Sequence, residues 1–351
     1  MKTEFNTASL KKAFALVEPA TTRNSTLSIL KSVRLRLASL AATDTIVQIT
    51  APIEGTGDAI NVCVPVEKLQ GILGVAGETI TFEHKDGFCN VKTGKHRFKV
   101  AVHSGDDFPE MAETEPLAKM ESTTEMHAAI ARVMFAASKH DVRYYFNAVL
   151  IDCDKDALHV VACNGSSLAT VALPAHHTPF SALLHRPVAE ALAKWPPSKW
   201  SISVSQVIVE TEDAKMVAKL VEGQYPQWRR LFPPKKPANS ITLPRAELLH
   251  ASMLSRLAFE GSKAVRGVKM QADGDTLKIS SSGNTGDMID TEIAVTASAG
   301  EKLDIAFNGD LLEPALRSMS TEDVEFRWDD PRGSFHIEDG DFRTIVMPLR
   351  I

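Results

Sequence analysis

Cysteine is scarce in this chain: four residues, Cys63, Cys89, Cys153 and Cys163, stand far apart among 351, with no C-x-x-C pair. That spacing argues against a disulfide framework and a zinc site, and it predicts reduced, mostly buried thiols in a cytoplasmic protein. No apolar core of the signal-peptide kind follows Met1. No run approaches the roughly 18 apolar residues that span a bilayer, so no membrane partner is expected. Base-reading modules are missing too: there is no helix-turn-helix signature, no C-x-x-C with a paired H-x-x-x-H and no basic zipper. Three stretches that suggest catalysis fall short of it. "ACNGSSLAT" lacks the G-x-S-x-G spacing of a nucleophile elbow. "GFCNVKTGKH" puts six residues between Gly87 and Gly94, and His96 stands where a phosphate loop needs Ser or Thr for Mg²⁺. His176-His177 has no nearby carboxylate or cysteine to complete a metal site. No catalytic residue, metal or cofactor is assigned.

What the chain does contain is ordinary globular material: 44% hydrophobic and 24% charged residues with 19 glycines. Such a composition leaves no room for extensive disorder, and the length exceeds what one core fills, so two or three domains are expected.

Self-similarity is the informative signal. "DDFPEM", "GQYPQW" and "IVMPLR" each place a bulky residue before a proline at the end of a strand-like run, with Pro109, Pro226 and Pro348 spaced 117 and 122 apart. Upstream, a helical stripe opens each unit: Leu10, Ala13, Phe14 and Val17; then Met126, Ile130, Val133, Met134 and Ala137; then Leu249, Met253 and Leu257. These are the spacings of a helix with one apolar face. "VEKLQGILG", "RPVAEALAKW" and "NGDLLEPALRSM" predict a second helix per unit, and alternating runs such as "SVRLRLAS", "ALHVVAC" and "TITFEH" predict strands with one buried face. Each unit therefore reads strand, helix, about three strands, helix, about three strands: an α+β domain in three tandem copies. "EMAETEP" and "PPKKPANS" are the linkers, giving domains 1–116, 117–236 and 237–351. On this reading the apolar end "FRTIVMPLRI" is the closing strand of the third unit.

The net charge of -5 hides an uneven distribution. Residues 6–36, 125–145 and 243–269, the first-helix regions, carry +5, +1 and +3, which leaves -14 on the remainder. Equivalent basic helices in an acidic chain can hold a polyanion on one face and repel it elsewhere. Contacts of that kind position nucleic acid without reading its sequence.

"HDVRYYFNAVL" (140–150), "KLVEGQYPQWRRLFP" (219–233) and the terminal "VMPLRI" resemble the bacterial DNA polymerase III β subunit, the β sliding clamp family. The likeness runs on through "STLSIL" (25–30) and "VRGVKM" (265–270). The resemblance implies a ring of two head-to-tail chains and six domains that encloses duplex DNA without sequence preference. It implies a processivity factor that tethers the replicative polymerase and performs no chemistry. A clamp-like scaffold that binds proteins without encircling DNA is the alternative. His140, Arg143, Tyr144 and Tyr145 occupy the family's DNA-contacting loop, and Arg23 with Asn24 stands one position away from its DNA-touching arginine. An arginine with two tyrosines can meet phosphates and stack on bases.

The resemblance also implies a groove where polymerases, the clamp loader and other clients insert a short apolar peptide. Its positions are Phe146, Cys163, Gly165, Leu168, Pro226, Arg230, Leu231, Ile345, Val346, Met347, Pro348, Leu349 and Arg350. Methionine suits a groove with several clients, because its thioether chain repacks. Where the family has Thr-Asp-Gly-His-Arg-Leu, this chain has Cys163-Asn164-Gly165-Ser166-Ser167-Leu168 and so lacks the His and Arg. For ring closure the resemblance sets Lys92, Lys95, Arg97 and Lys99 against Asp287, Asp290 and Glu292, with Phe98 and Phe259 as the apolar centre. Complementary charge of this kind fixes register.

Overall fold

The structure is a computed structural model that describes residues 2–22, 24–175, 178–233, 235–259, 264–283 and 286–349. Six α-helices occur among these residues: α1 (Thr7–Val17), α2 (Val66–Gly74), α3 (Thr124–Val133), α4 (Arg186–Leu192), α5 (Arg245–Leu254) and α6 (Gly309–Arg317). Local chemistry sets their starts. Asn6, Thr123 and Asn308 each accept a hydrogen bond from a backbone N–H of the first turn, at 3.0, 3.3 and 2.9 Å, as capping side chains do. On α1 the expected stripe of Leu10, Ala13, Phe14 and Val17 is buried throughout.

The stripe expected on α5 is wrong. Leu248, Ala251 and Ser252 are its buried residues, whereas Met253 and Leu257 are exposed. One edge of the inward face, at Ser252, is polar because Arg266 is buried beneath it. Arg266 donates to the Ser252 carbonyl (2.6 Å), to Ser255 Oγ (2.8 Å) and to Glu313 (2.5 Å). An apolar pattern misplaces a helix whose core side includes Ser252 over a buried arginine.

Four main strands, not three, separate the helices of each repeat. They are Ser32–Arg36, Ser39–Thr43, Val47–Pro52 and Asn61–Pro65 in the first copy. In the second they are Ala148–Cys153, Ala157–Cys163, Ser167–Pro174 and Phe180–His185, and in the third Gly267–Asp273, Thr276–Ser282, Met288–Ala294 and Asp304–Asn308. The fourth strand of each set runs straight into the second helix, so the sequence offers no turn to mark it. Three strands follow that helix, as expected, ending in His96–Ala101, Lys215–Lys219 and Phe342–Val346.

The chain folds as two compact units, Met1–Ser122 with Pro196–Leu220, and Thr123–Trp195 with Val221–Ile351. Each holds one nine-stranded and one five-stranded sheet. In the first unit Lys215–Lys219 pairs antiparallel with Val47–Pro52, placing Met216 opposite Ile49. In the second, Phe342–Val346 pairs with Ser167–Pro174, placing Ile345 opposite Leu168. Both nine-stranded sheets thus run on from one repeat into the next. Aromatic pairs fill the cores, Phe5 with Phe82 in the first unit (5.7 Å) and Trp328 with Phe335 in the second (5.3 Å). Burying each such side chain contributes about 1.5–3 kcal/mol.

The apolar end of the chain is not one strand. Phe342–Val346 belongs to the nine-stranded sheet, and Pro348–Leu349 crosses to the five-stranded one, with Leu349 opposite Ala306. Met347 makes the step, its N–H donating to the Ser166 carbonyl at 2.8 Å. The second linker is also shorter than read, since Asn239 and Ser240 already belong to a strand.

Candidate functional site

The loop before Ala148–Cys153 is built around Asp141. Asn147 brackets it, accepting from its N–H and donating to its carbonyl, both at 2.8 Å. Arg143 donates to the carboxylate from Nε and Nη2, each at 2.9 Å, and from its own N–H at 2.8 Å. Those hydrogen bonds, the guanidinium's first, pull the Asp141 carboxyl down to about 2, because they favour the charged form. The Arg143 guanidinium also lies over the Phe146 ring, 4.3 Å from its centre. His140 and Tyr144 are exposed, and Tyr145 is half-buried against Tyr144 (5.8 Å) and Phe146 (4.7 Å). Arg143 therefore presents a compensated charge, and Tyr144 is the tyrosine with an open face. Asn24 sits exposed in a turn, while Arg23 lies outside the described residues.

Behind the loop is an apolar cluster. Phe146, Cys163, Leu168 and Ile345 are buried in it with Trp228 and Phe232, and Tyr225 packs against it. Burial raises the Cys163 thiol. Pro226 and Arg230 line a cavity of about 440 Å³ with Tyr225, Trp228 and Leu183. Met347, Pro348 and Leu349 line a different cavity of about 660 Å³ with Ile305 and Pro331. The expected groove residues thus divide into a buried floor and two openings. Val346 is fully buried and contributes to the sheet alone, Leu231 is exposed, and Arg350 lies outside the described residues. Tyr225, Trp228 and Arg229 line the first cavity but were not singled out in the sequence. They lie inside "GQYPQWRRLFP", and two aromatics beside a proline in a linker-like stretch were the available signal.

The turn from Cys163 to Leu168 joins two antiparallel strands, Ala157–Cys163 and Ser167–Pro174, which rules out a strand-to-helix elbow. Asn164 Oδ1 accepts from the N–H groups of Ser166 (2.9 Å) and Ser167 (2.8 Å), the local bonding that suits asparagine to turns. Gly165 takes φ +87°, and a Cβ there would stand 3.3 Å from Arg143 and 3.4 Å from Phe146. The weak phosphate-loop candidate is likewise a hairpin, Phe88–Thr93 with His96–Ala101. His176-His177 lies outside the described residues.

The strands proposed for ring closure are both edges. His96–Ala101 ends one five-stranded sheet and Met288–Ala294 ends the other. Lys92, Lys95, Arg97 and Lys99 are exposed on or beside the first, and Asp287, Asp290 and Glu292 on or beside the second. Phe98 and Phe259 are half-buried.

The basic excess of the first-helix regions is partly neutralised at short range. Arg34 is buried and paired with Glu110 (2.7 and 3.0 Å), and Arg266 with Glu313. Arg132 binds Asp339 and Asp341, Arg256 binds Glu313, and Lys12 binds Asp213. Arg245 donates to the Leu316 and Thr321 carbonyls at the end of α6, a favourable place for a cation. Lys11, Lys31 and Lys139 remain exposed. Among the described residues no three His, Cys, Asp or Glu side chains form a metal-binding group, and no helix is long and apolar enough to cross a membrane.

An α+β unit repeated in tandem, with sheets that pass from one copy into the next, is the fold of the sliding clamps. The crystal structure of the Pseudomonas aeruginosa DNA polymerase III subunit beta matches the whole chain with a TM-score of 0.92 at 23% identity, covering 100% of each. A crystal structure of the C. crescentus beta sliding clamp matches with a TM-score of 0.91 at 23% identity, over 100% of this chain and 99% of that one. In sequence, the Pseudomonas putida beta sliding clamp is 26% identical over 97% of this chain and 98% of its own length, and that of Escherichia coli K12 is 26% identical over 74% and 73%. Residues 121–227 match the family profile "DNA polymerase III beta subunit, central domain", and residues 229–350 match the C-terminal domain profile. The chain belongs to the DNA polymerase III β subunit family.

Proposed function

We propose that this protein is a sliding clamp whose two copies close head to tail around duplex DNA and tether a replicative polymerase. The pair of free sheet edges carries the reading. Twice within the chain, the last strand of one repeat pairs with the third inter-helix strand of the repeat before it: Lys215–Lys219 with Val47–Pro52, and Phe342–Val346 with Ser167–Pro174. The remaining members of those two sets are His96–Ala101 and Met288–Ala294, the outermost strands of the five-stranded sheets. A second copy supplies each with the neighbour its equivalents already have, and a head-to-tail contact repeated in this way closes into a ring. The basic side chains on one edge and the acidic ones on the other suit that pairing and disfavour like-to-like contact. Phe98 and Phe259 would form its apolar centre, and Met253 and Leu257, a few residues before Phe259 in the chain, are exposed. The repeats would be domains 1–116, 117–236 and 237–351.

Duplex DNA would be held by weak, salt-screened phosphate contacts from exposed cations such as Lys11, Lys31 and Lys139, with His140, Arg143 and Tyr144 at the mouth. Clients, the polymerase and the clamp loader among them, would insert a short apolar peptide over the Phe146–Leu168–Ile345 floor. No bond is made or broken in this role, and it belongs in the cytoplasm, where DNA is replicated. The scaffold that never encircles DNA draws support from one observation, the local neutralisation of Arg34, Arg132, Arg143 and Arg266. Retention on closed circular DNA, lost when the same DNA is linearised, is the expected result. Equal retention on both forms, or on neither after loading, would favour the scaffold.

A further inference from the structure

On one face of the nine-stranded sheet of the second unit, charged side chains gather beside a proline-bounded segment. Strand Asp323–Trp328 carries Glu325 and Arg327, Phe335–Asp339 carries His336 and Glu338, and Phe342–Val346 carries Arg343. The register sets Arg327 beside His336 and Arg343 beside Glu338, and paired residues share a face. Together with Lys235 and Lys236, which stand between Pro233 and Pro237, they line a cavity of about 420 Å³.

Its carboxylates are engaged while several of its donors are not. Glu325 accepts from Arg327 at 2.9 and 2.6 Å, and Glu338 accepts from Arg343 Nε at 3.0 Å. Arg343 is steadied by the Phe232 ring, 4.1 Å from its Cζ, and its two terminal nitrogens have no hydrogen-bond partner among the described residues. Lys235 and Lys236 are exposed, with no ion-pair partner among the described residues. His336 is 9% exposed, with Nε2 2.9 Å from Ser334 Oγ and a buried Nδ1 that has no partner among the described residues. Burial, then the Arg343 charge, lowers the His336 pKa against the opposing pull of Asp329 and Glu338, which keeps the ring neutral at pH 7. Four cations against two carboxylates leave the lining positive.

We propose that this cavity binds a phosphate monoester or free phosphate, with Lys235, Lys236 and the terminal nitrogens of Arg343 supplying charge and hydrogen bonds and His336 as a lining side chain. Phosphate fits because it accepts several charge-assisted hydrogen bonds at once. The cavity has the size of a small-molecule site and not of a duplex groove.

The test uses the full chain with ¹³C-labelled histidine, titrated with inorganic phosphate, with deoxyadenosine monophosphate, and with sodium chloride at matched ionic strength. One histidine signal, absent in His336→Gln, should move saturably with phosphate and stay still in chloride. Lys235→Ala/Lys236→Ala, two exposed changes, should raise the apparent Kd at least fivefold. Tenfold tighter binding of the nucleotide would make a nucleotide the ligand, and equal binding would make it the phosphate group alone. A linear shift shared with chloride, or a Kd indifferent to the lysine pair, would overturn the proposal. If His336→Gln does not fold, the calorimetric heat of phosphate binding in the wild type and in the lysine variant decides between the same outcomes.

Discussion

The guanidinium of Arg143 lies 4.3 Å from the centre of the Phe146 ring while Asp141 grips two of its nitrogens at 2.9 Å. One side chain therefore joins the loop proposed to meet DNA to the floor of the apolar groove. Arg143→Ala removes a cation–π contact worth about 0.5–1 kcal/mol at a partly exposed site. We expect a clamp-binding peptide to bind roughly two- to fivefold more weakly, as read by fluorescence anisotropy. An unchanged peptide affinity would separate the loop from the groove.

Asp141 should set the pH range over which that loop is ordered. Its folded-state pKa is depressed to about 2, so its contribution is complete above the ordinary aspartate value of about 3.9 and fades as pH falls towards 2. A carboxyl titration followed by NMR should have its midpoint near the lower value. At neutral pH, Asp141→Asn should release the Arg143 charge and make DNA retention more resistant to salt. A midpoint near 4 rejects the pairing.

Gly165 is required by its backbone and by its neighbours. With φ +87° and a would-be Cβ 3.3 Å from Arg143, Gly165→Ala should destabilise the turn by about 1–2 kcal/mol. Gly165→Asn should cost less, since asparagine visits the left-handed region. Thermal melts of the two variants give the order, and alanine melting above asparagine would contradict it.

The buried pair Arg266 and Glu313 should tolerate joint replacement better than single loss. Arg266→Met leaves a carboxylate that is 1% exposed with Arg256 as its remaining charged partner among the described residues and should cost less in chemical denaturation than the about 3–5 kcal/mol of a fully stranded buried charge, whereas Arg266→Met with Glu313→Leu should recover much of it. A double variant no more stable than the single one would show that the network is needed for packing α5 and not only for charge balance.

At the proposed seam, Lys95→Glu with Arg97→Glu should leave folded monomers in sedimentation. Asp290→Lys with Glu292→Lys, mixed with that variant, should restore association. A dimer that persists undiminished after the first pair of changes places the contact elsewhere.

Much of the fold was legible in the residues because it is local. The stripe of α1 and the alternating strand runs inside each repeat depend on neighbours within a turn or two. The stripe of α5 was misread, since its inner face answers to Arg266 and Glu313, which are separated by 47 positions in sequence. Around the apolar cluster, Pro226 and Phe146 stand out in the sequence, whereas Trp228 and Arg229 gain their place beside it only when Asp152 and Leu183 fold beneath them.

The sequence by itself determined the repeated α+β unit, the opposite charge of two strands and the scarcity of cysteine, all of which composition and period carry directly. The tertiary structure decided which cations are free and which strands are edges. Arg132 meets Asp339 across 207 positions, and His96–Ala101 and Met288–Ala294 are edges because no further strand among the described residues pairs with their outer sides. Charge compensation and sheet order are long-range pairings, so only the folded chain expresses them.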